Sequence, residues 1–168
     1  RDLLCFEVAD TGIGVGPAAA SPAGSFVAAA DTKGGQLLSY TADDIIRLNQ
    51  STPVPEGPWA VAVDSRRDLV WVASTVDSVL TGWDISGGTS VKAVEIPLVA
   101  DAQALVTTAG GGLVAYSASG AGAQILVAET IDAALEDNRG EFEAEMELFE
   151  PREPVDRIPV GEDAGAEN

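Results

Sequence analysis

Three short apolar runs, Phe26-Val27-Ala28-Ala29-Ala30, Leu69-Val70-Trp71-Val72-Ala73 and Leu113-Val114-Ala115-Tyr116-Ser117, begin 43 and then 44 residues apart. Each is followed by a turn-forming stretch and a second run: Gln36 to Tyr40, Ser78 to Trp83, and Gln124 to Ala128. A chain that repeats at this interval folds as units that cannot bury their faces alone and must stack. The period is that of a four-stranded antiparallel blade.

The middle copy shows the whole unit. Gly57-Pro58 introduces an inner strand, Trp59 to Asp64, and Ser65-Arg66-Arg67-Asp68 turns the chain into Leu69 to Ser74. Thr75-Val76-Asp77 leads to Ser78–Trp83, and Asp84 to Gly88 precedes a fourth run, Val91 to Leu98. Residues 57–98 are therefore expected to form one four-stranded sheet. The same frame places a first inner strand near residues 17–21. It also makes Leu4-Cys5-Phe6-Glu7 the outer strand of a preceding blade. The fold expected is all-β: about three propeller-like blades in an incomplete ring over 1–128, with an acidic extension over 129–168.

These copies resemble the bacterial YVTN, NHL and WD40-like β-propeller repeats. The residues that carry the resemblance are Trp59-Ala60-Val61-Ala62-Val63-Asp64, Leu69 to Ser74, and Gly82-Trp83-Asp84. It implies a periplasmic or extracellular setting, although Arg1-Asp2-Leu3-Leu4-Cys5 does not read as a signal peptide. No run approaches the roughly 18 apolar residues of a membrane span.

The extension has its own patterning. Thr130 to Asp137 has a capping threonine and helical spacing, so a short helix is expected there. Glu141-Phe142-Glu143-Ala144-Glu145-Met146-Glu147-Leu148 alternates acid and apolar residues, the signature of a half-buried strand with one carboxylate face. Glu141, Glu143, Glu145 and Glu147 are the candidate partner-binding residues. A Pro-punctuated, flexible end is expected after them.

Charge narrows the function. The formal net charge is −18, with −11 in residues 129–168 and −7 in residues 1–128. Repulsion from phosphate argues against nucleic acid, while a basic protein partner or calcium is compatible. The chain has no histidine, which removes Ser-His-Asp catalysis and His-bound zinc from these residues. The single Cys5 sits among apolar neighbours and reads as an inert thiol.

Other motifs have plain readings. Asp10-Thr11-Gly12-Ile13-Gly14 looks like the DxGxG box of histidine-kinase ATP sites, but the companion helix and second glycine box have no counterpart. Asp31 to Gly35 and Asp84 to Gly88 read as turns before calcium loops. Trp59, Trp71 and Trp83 recur every 12 residues and are expected to fill space between blades.

No cofactor-binding residue is identified, and enzymatic activity is left open, with the balance against it. The leading expectation is a non-catalytic binding or assembly module, partnered by a protein, by remaining blades, or by further copies of itself. The alternative is a fragment of a propeller enzyme, a lactonase-like hydrolase or quinoprotein-type oxidoreductase, with catalytic residues outside this chain.

Overall fold

The computed structural model describes residues 15–42, 44–87 and 89–147, apart from the side chains of Val15 and residues 140–147. Three antiparallel sheets follow one another along the chain. Blade 1 consists of β1 (Val15–Ala20), β2 (Phe26–Asp31), β3 (Gln36–Ala42) and β4 (Ile46–Pro53), hydrogen-bonded in that order. Blade 2 repeats the plan with β5 (Pro58–Asp64), β6 (Leu69–Ser74), β7 (Val79–Asp84) and β8 (Val91–Pro97). Blade 3 has three strands, β9 (Ala102–Thr107), β10 (Leu113–Ser117) and β11 (Ala123–Leu126). The expected sheet over 57–98 and the expected partial, unclosed propeller-like fold are both observed. Leu4 to Glu7, the expected outer strand of a preceding blade, lies outside the described residues.

The first three strands of blade 2 start 43 residues after their blade 1 counterparts, and those of blade 3 start 44 after blade 2. The first strands neighbour one another, β1 beside β5 and β5 beside β9, so the blades fan out from a shared inner row. The residue before the inner strand has left-handed backbone in blades 2 and 3. Gly57 has φ 72° and its repeat equivalent Asp101 has φ 53°. Each carbonyl then accepts an equivalent bond, from the Thr75 amide at 2.8 Å and from the Ala118 amide at 2.9 Å.

Alternation along the strands divides the core into two layers. Val61, Val70, Val72 and Trp83 of blade 2 pack against Ala28, Ala30 and Leu37 of blade 1. The opposite face of blade 2 carries Trp71, Leu80, Val94 and Ile96, which pack towards blade 3. Both buried indoles find acceptors: Trp71 Nε1 donates to Asp64 Oδ2 at 3.2 Å, and Trp83 Nε1 to Thr81 Oγ1 at 2.9 Å. Trp71 and Trp83 therefore fill inter-blade space as expected, whereas Trp59 is 38 % exposed.

Blade 3 departs from the repeat by one residue of register. In blade 2, Val61 pairs with Val72; 44 residues on, the equivalent pair would be Leu105 with Tyr116. Leu105 instead pairs with Ala115, and Tyr116 with Ala104. A one-residue slip exchanges the faces of a strand. Leu113, Ala115 and Leu126 consequently join the core layer of Trp71. Val106, Tyr116 and Ile125 point outward and are 53, 50 and 69 % exposed.

A helix, α1 (Ala128–Glu147), follows β11. It corrects the expected short helix and alternating strand. Glu, Ala and Met favour helix intrinsically, and that preference prevails over a period-2 pattern in a segment that has no partner strand among the described residues. Ile131 is fully buried, and Asn138 Nδ2 donates to the Ala93 carbonyl on β8 at 2.6 Å. α1 thus lies against the outer strand of blade 2. No described helix is long and apolar enough to cross a membrane.

Candidate functional site

Asp64 ends β5 at the first hairpin turn of blade 2 and is 5 % exposed. Its Oδ1 accepts the Arg66 amide at 3.0 Å, which shapes the turn. Its Oδ2 accepts Arg67 Nη1 at 2.7 Å and the Trp71 indole. A carboxylate held on both oxygens is a structural anchor and is poorly placed to take a proton from water.

Arg67 carries that anchor across three elements. Nη1 also donates to the Gly111 carbonyl of the blade 3 turn at 2.7 Å, Nη2 to the Ala128 carbonyl at 3.3 Å, and Nε to Asp132 at 2.7 Å. Burial alone would lower the guanidinium pKa. The hydrogen bonds to Asp132 and Asp64 outweigh it, and the group is held above its ordinary value. In return the bond from Arg67 holds the Asp132 carboxyl below its usual range. Arg66 adds a bond from Nη1 to the Gly110 carbonyl at 3.0 Å.

Two cavities meet at this corner, on the side where the first hairpin turns of the blades project. One, of about 400 Å³, lies between blades 1 and 2 with Phe26, Val63, Leu69 and Ile85 on its apolar walls. The other, of about 190 Å³, lies between blades 2 and 3 beside Arg66, Thr108 and Gly111. Pro22, Val63, Asp64 and Ser65 border both. Ser39, on the wall of the larger cavity, is 4 % exposed, and its Oγ has no hydrogen-bond partner among the described residues.

The turn reading of the two Asp-Gly-Gly segments is upheld by geometry. Asp31 Oδ1 accepts the amides of Lys33 and Gly34 at 3.1 and 2.7 Å, and Asp84 Oδ1 accepts the Ser86 amide at 2.8 Å and its hydroxyl at 2.7 Å. The Ser86 bonds hold the Asp84 carboxyl below its ordinary value. Among the described residues no three metal-binding side chains gather. Glu141, Glu143, Glu145 and Glu147 lie on the last turns of α1 and not on a strand. Their side chains, and the Asp10 to Gly14 box, lie outside the described residues.

The sequence reading passed over Ser39, Asp64 and Arg67. Ser39 had a signal: it sits at an inward position of an alternating strand, between Leu37 and Thr41. The Arg67 joint had none, since its partners Gly111, Ala128 and Asp132 are 44 to 65 residues away.

No protein-family model matches the chain, and comparison with curated protein sequences yields no match. Solved structures do resemble it. A Bacteroides fragilis protein assigned as a 6-phosphogluconolactonase aligns with TM-score 0.62 at 16 % identity, over 71 % of this chain and 36 % of its own. The periplasmic gluconolactonase of Pseudomonas aeruginosa aligns with TM-score 0.56 at 14 % identity, over 68 % of this chain and 38 % of its own. Hydrazine synthase of Kuenenia stuttgartiensis aligns with TM-score 0.57 at 18 % identity, over 70 % and 33 %. The chain thus spans about a third of the length of these neighbours, and the likeness is one of fold. Two of these three neighbours carry lactonase names, which corrects the leading expectation of a non-catalytic assembly module.

Proposed function

We propose that this chain forms part of a lactonase-like propeller hydrolase that opens a sugar lactone. The observation that carries the reading is the overlap of about two thirds or more of the chain with propellers named for gluconolactone chemistry. The cavity at the corner of Asp64 supports it, because a hydrolase of this kind needs a concave, partly apolar recess. Asp64 is engaged on both oxygens, so the groups that activate water are assigned to residues beyond the described blades. Membership of the YVTN, NHL and WD40-like group, and completion of the ring by further blades or copies, are part of the same proposal.

The test is proton release. In a pH-stat, the intact polypeptide carrying these blades should hydrolyse glucono-1,5-lactone well above the spontaneous rate. A rate equal to that of buffer alone would remove the reading.

A further inference from the structure

We propose that the cavity between blades 1 and 2 binds a neutral, hydroxyl-rich ring of hexose type and rejects its phosphorylated form. The inference goes beyond the hydrolase reading, because the ligand class follows from the lining alone. The volume, about 400 Å³, falls within the range of roughly 300–1,000 Å³ usual for small-molecule sites. Phe26, Val63, Leu69 and Ile85 offer an apolar wall for the C–H face of a ring.

The polar side of the cavity is unevenly satisfied. Ser21 Oγ already accepts the amides of Ser25 and Phe26 at 3.0 and 3.2 Å, and Ser86 Oγ donates to Asp84. Ser39 differs: it shares a row with Ala28, faces blade 2, and its buried Oγ has no partner among the described residues. Buried polar atoms are nearly always paired, and an orphan lining a cavity calls for a ligand hydroxyl or a water. The charged groups at the wall, Asp64 and Asp68, are carboxylates, and among the described residues no lysine or arginine lines the space. A phosphate would find no cation on this lining to pair with, because the Arg67 guanidinium that compensates Asp64 is already taken up by Asp64, Asp132 and the Gly111 and Ala128 carbonyls.

The test uses D-glucose and D-glucose 6-phosphate, titrated into the intact protein and followed by isothermal calorimetry and saturation-transfer NMR. Glucose should bind and its phosphate should not. Ser39→Ala should weaken glucose about three- to tenfold, the usual effect of one lost hydrogen bond, without lowering the unfolding midpoint. Ser39→Val, which fills the space, should abolish binding, and circular dichroism confirms that both variants fold. The site is overturned if glucose does not bind, if neither variant changes its affinity, as for occupation by water only, or if the phosphate binds as well as glucose. Glucose binding without lactone hydrolysis would keep this site and remove only the hydrolase reading.

Discussion

Trp71 pairs across the sheet with Gly82, and its indole lies where a Gly82 side chain would be. A Cβ on Gly82 would come within 2.8 Å of Cζ3 and 3.0 Å of both Cη2 and Val94 Cγ1. Trp71 is fully buried, with Ala62 opposite it on the other neighbouring strand. Small residues on both flanks therefore make room for one large ring, which also reaches Asp64. Gly82→Ala should destabilise the fold by about 1–3 kcal/mol through overpacking. Urea unfolding followed by tryptophan fluorescence checks this; an unchanged midpoint would show that the indole can move aside.

Arg67 should be the costliest polar residue to remove. Its side chain is 8 % exposed and compensates Asp64, whose side chain is 6 % exposed. Arg67→Ala leaves that carboxylate buried and uncompensated, with an expected loss of about 3–5 kcal/mol. Arg67→Lys should rescue little, since one ammonium cannot reach Asp64, Asp132, Gly111 and Ala128 at once. Asp132→Asn should cost much less, because that partner is 48 % exposed. Thermal unfolding of the three variants gives the ranking.

Acid should weaken the joint. Asp132 and Asp84 are both held below their ordinary value of 3.8 in the folded chain. A carboxyl with a depressed folded pKa binds its proton more readily when unfolded. Its stabilising contribution is present above the unfolded value and is lost as pH falls through the folded one. Unfolding midpoints should therefore be flat from pH 7 to about pH 5 and decline below about pH 4. Asp132→Asn should make that decline shallower; the same slope in variant and parent would exclude Asp132 from it.

The repeat left its clearest trace where glycine and aspartate exchange roles. Gly57 and Asp101 hold the same left-handed position before an inner strand, but only Gly57 is crowded, with Val76 Cγ2 2.7 Å from its missing Cβ. Gly57→Ala should cost about 1–2 kcal/mol from backbone conformation alone, with the clash added to it. Asp101→Gly should be near neutral, trading relief of backbone strain against the lost bond from Gln103 Nε2 at 2.8 Å. Equal destabilisation by the two changes would show that the positions are not equivalent.

The strands were legible because their signals are local: apolar runs, polar turns, and an interval that repeats. Ala28, Val70 and Trp71 lie in a period that predicts both pairing and burial. What stayed hidden depends on comparison across sheets. The slip that pairs Leu105 with Ala115 follows from one residue of register and leaves no mark on composition. The alternation of Glu141 to Glu147 was misleading because a period-2 pattern means a strand only where a sheet edge receives it, and α1 packs on β8 instead. The cavity was hidden for the same reason, since Ser39 and Ile85 approach each other only when two blades stack.

The slipped register makes a last prediction about association. Val106, Val114 and Ile125 stand in one row across blade 3, and Tyr116 lies on the same face. Three of these four are at least half exposed, in a patch where a stacked blade would bury them. An exposed apolar sheet face of this kind should drive concentration-dependent association of the isolated chain. Ile125→Lys, at a position 69 % exposed, should reduce that association while leaving the unfolding midpoint within about 0.5 kcal/mol of the parent, as for surface changes in general. Analytical ultracentrifugation from low to high micromolar concentration measures the first effect and urea unfolding the second. A parent chain that stays monomeric throughout would remove the patch as a contact surface. A strongly destabilised Ile125→Lys would mean that the residue is buried in the folded chain, and the register of β10 and β11 would need to be redrawn.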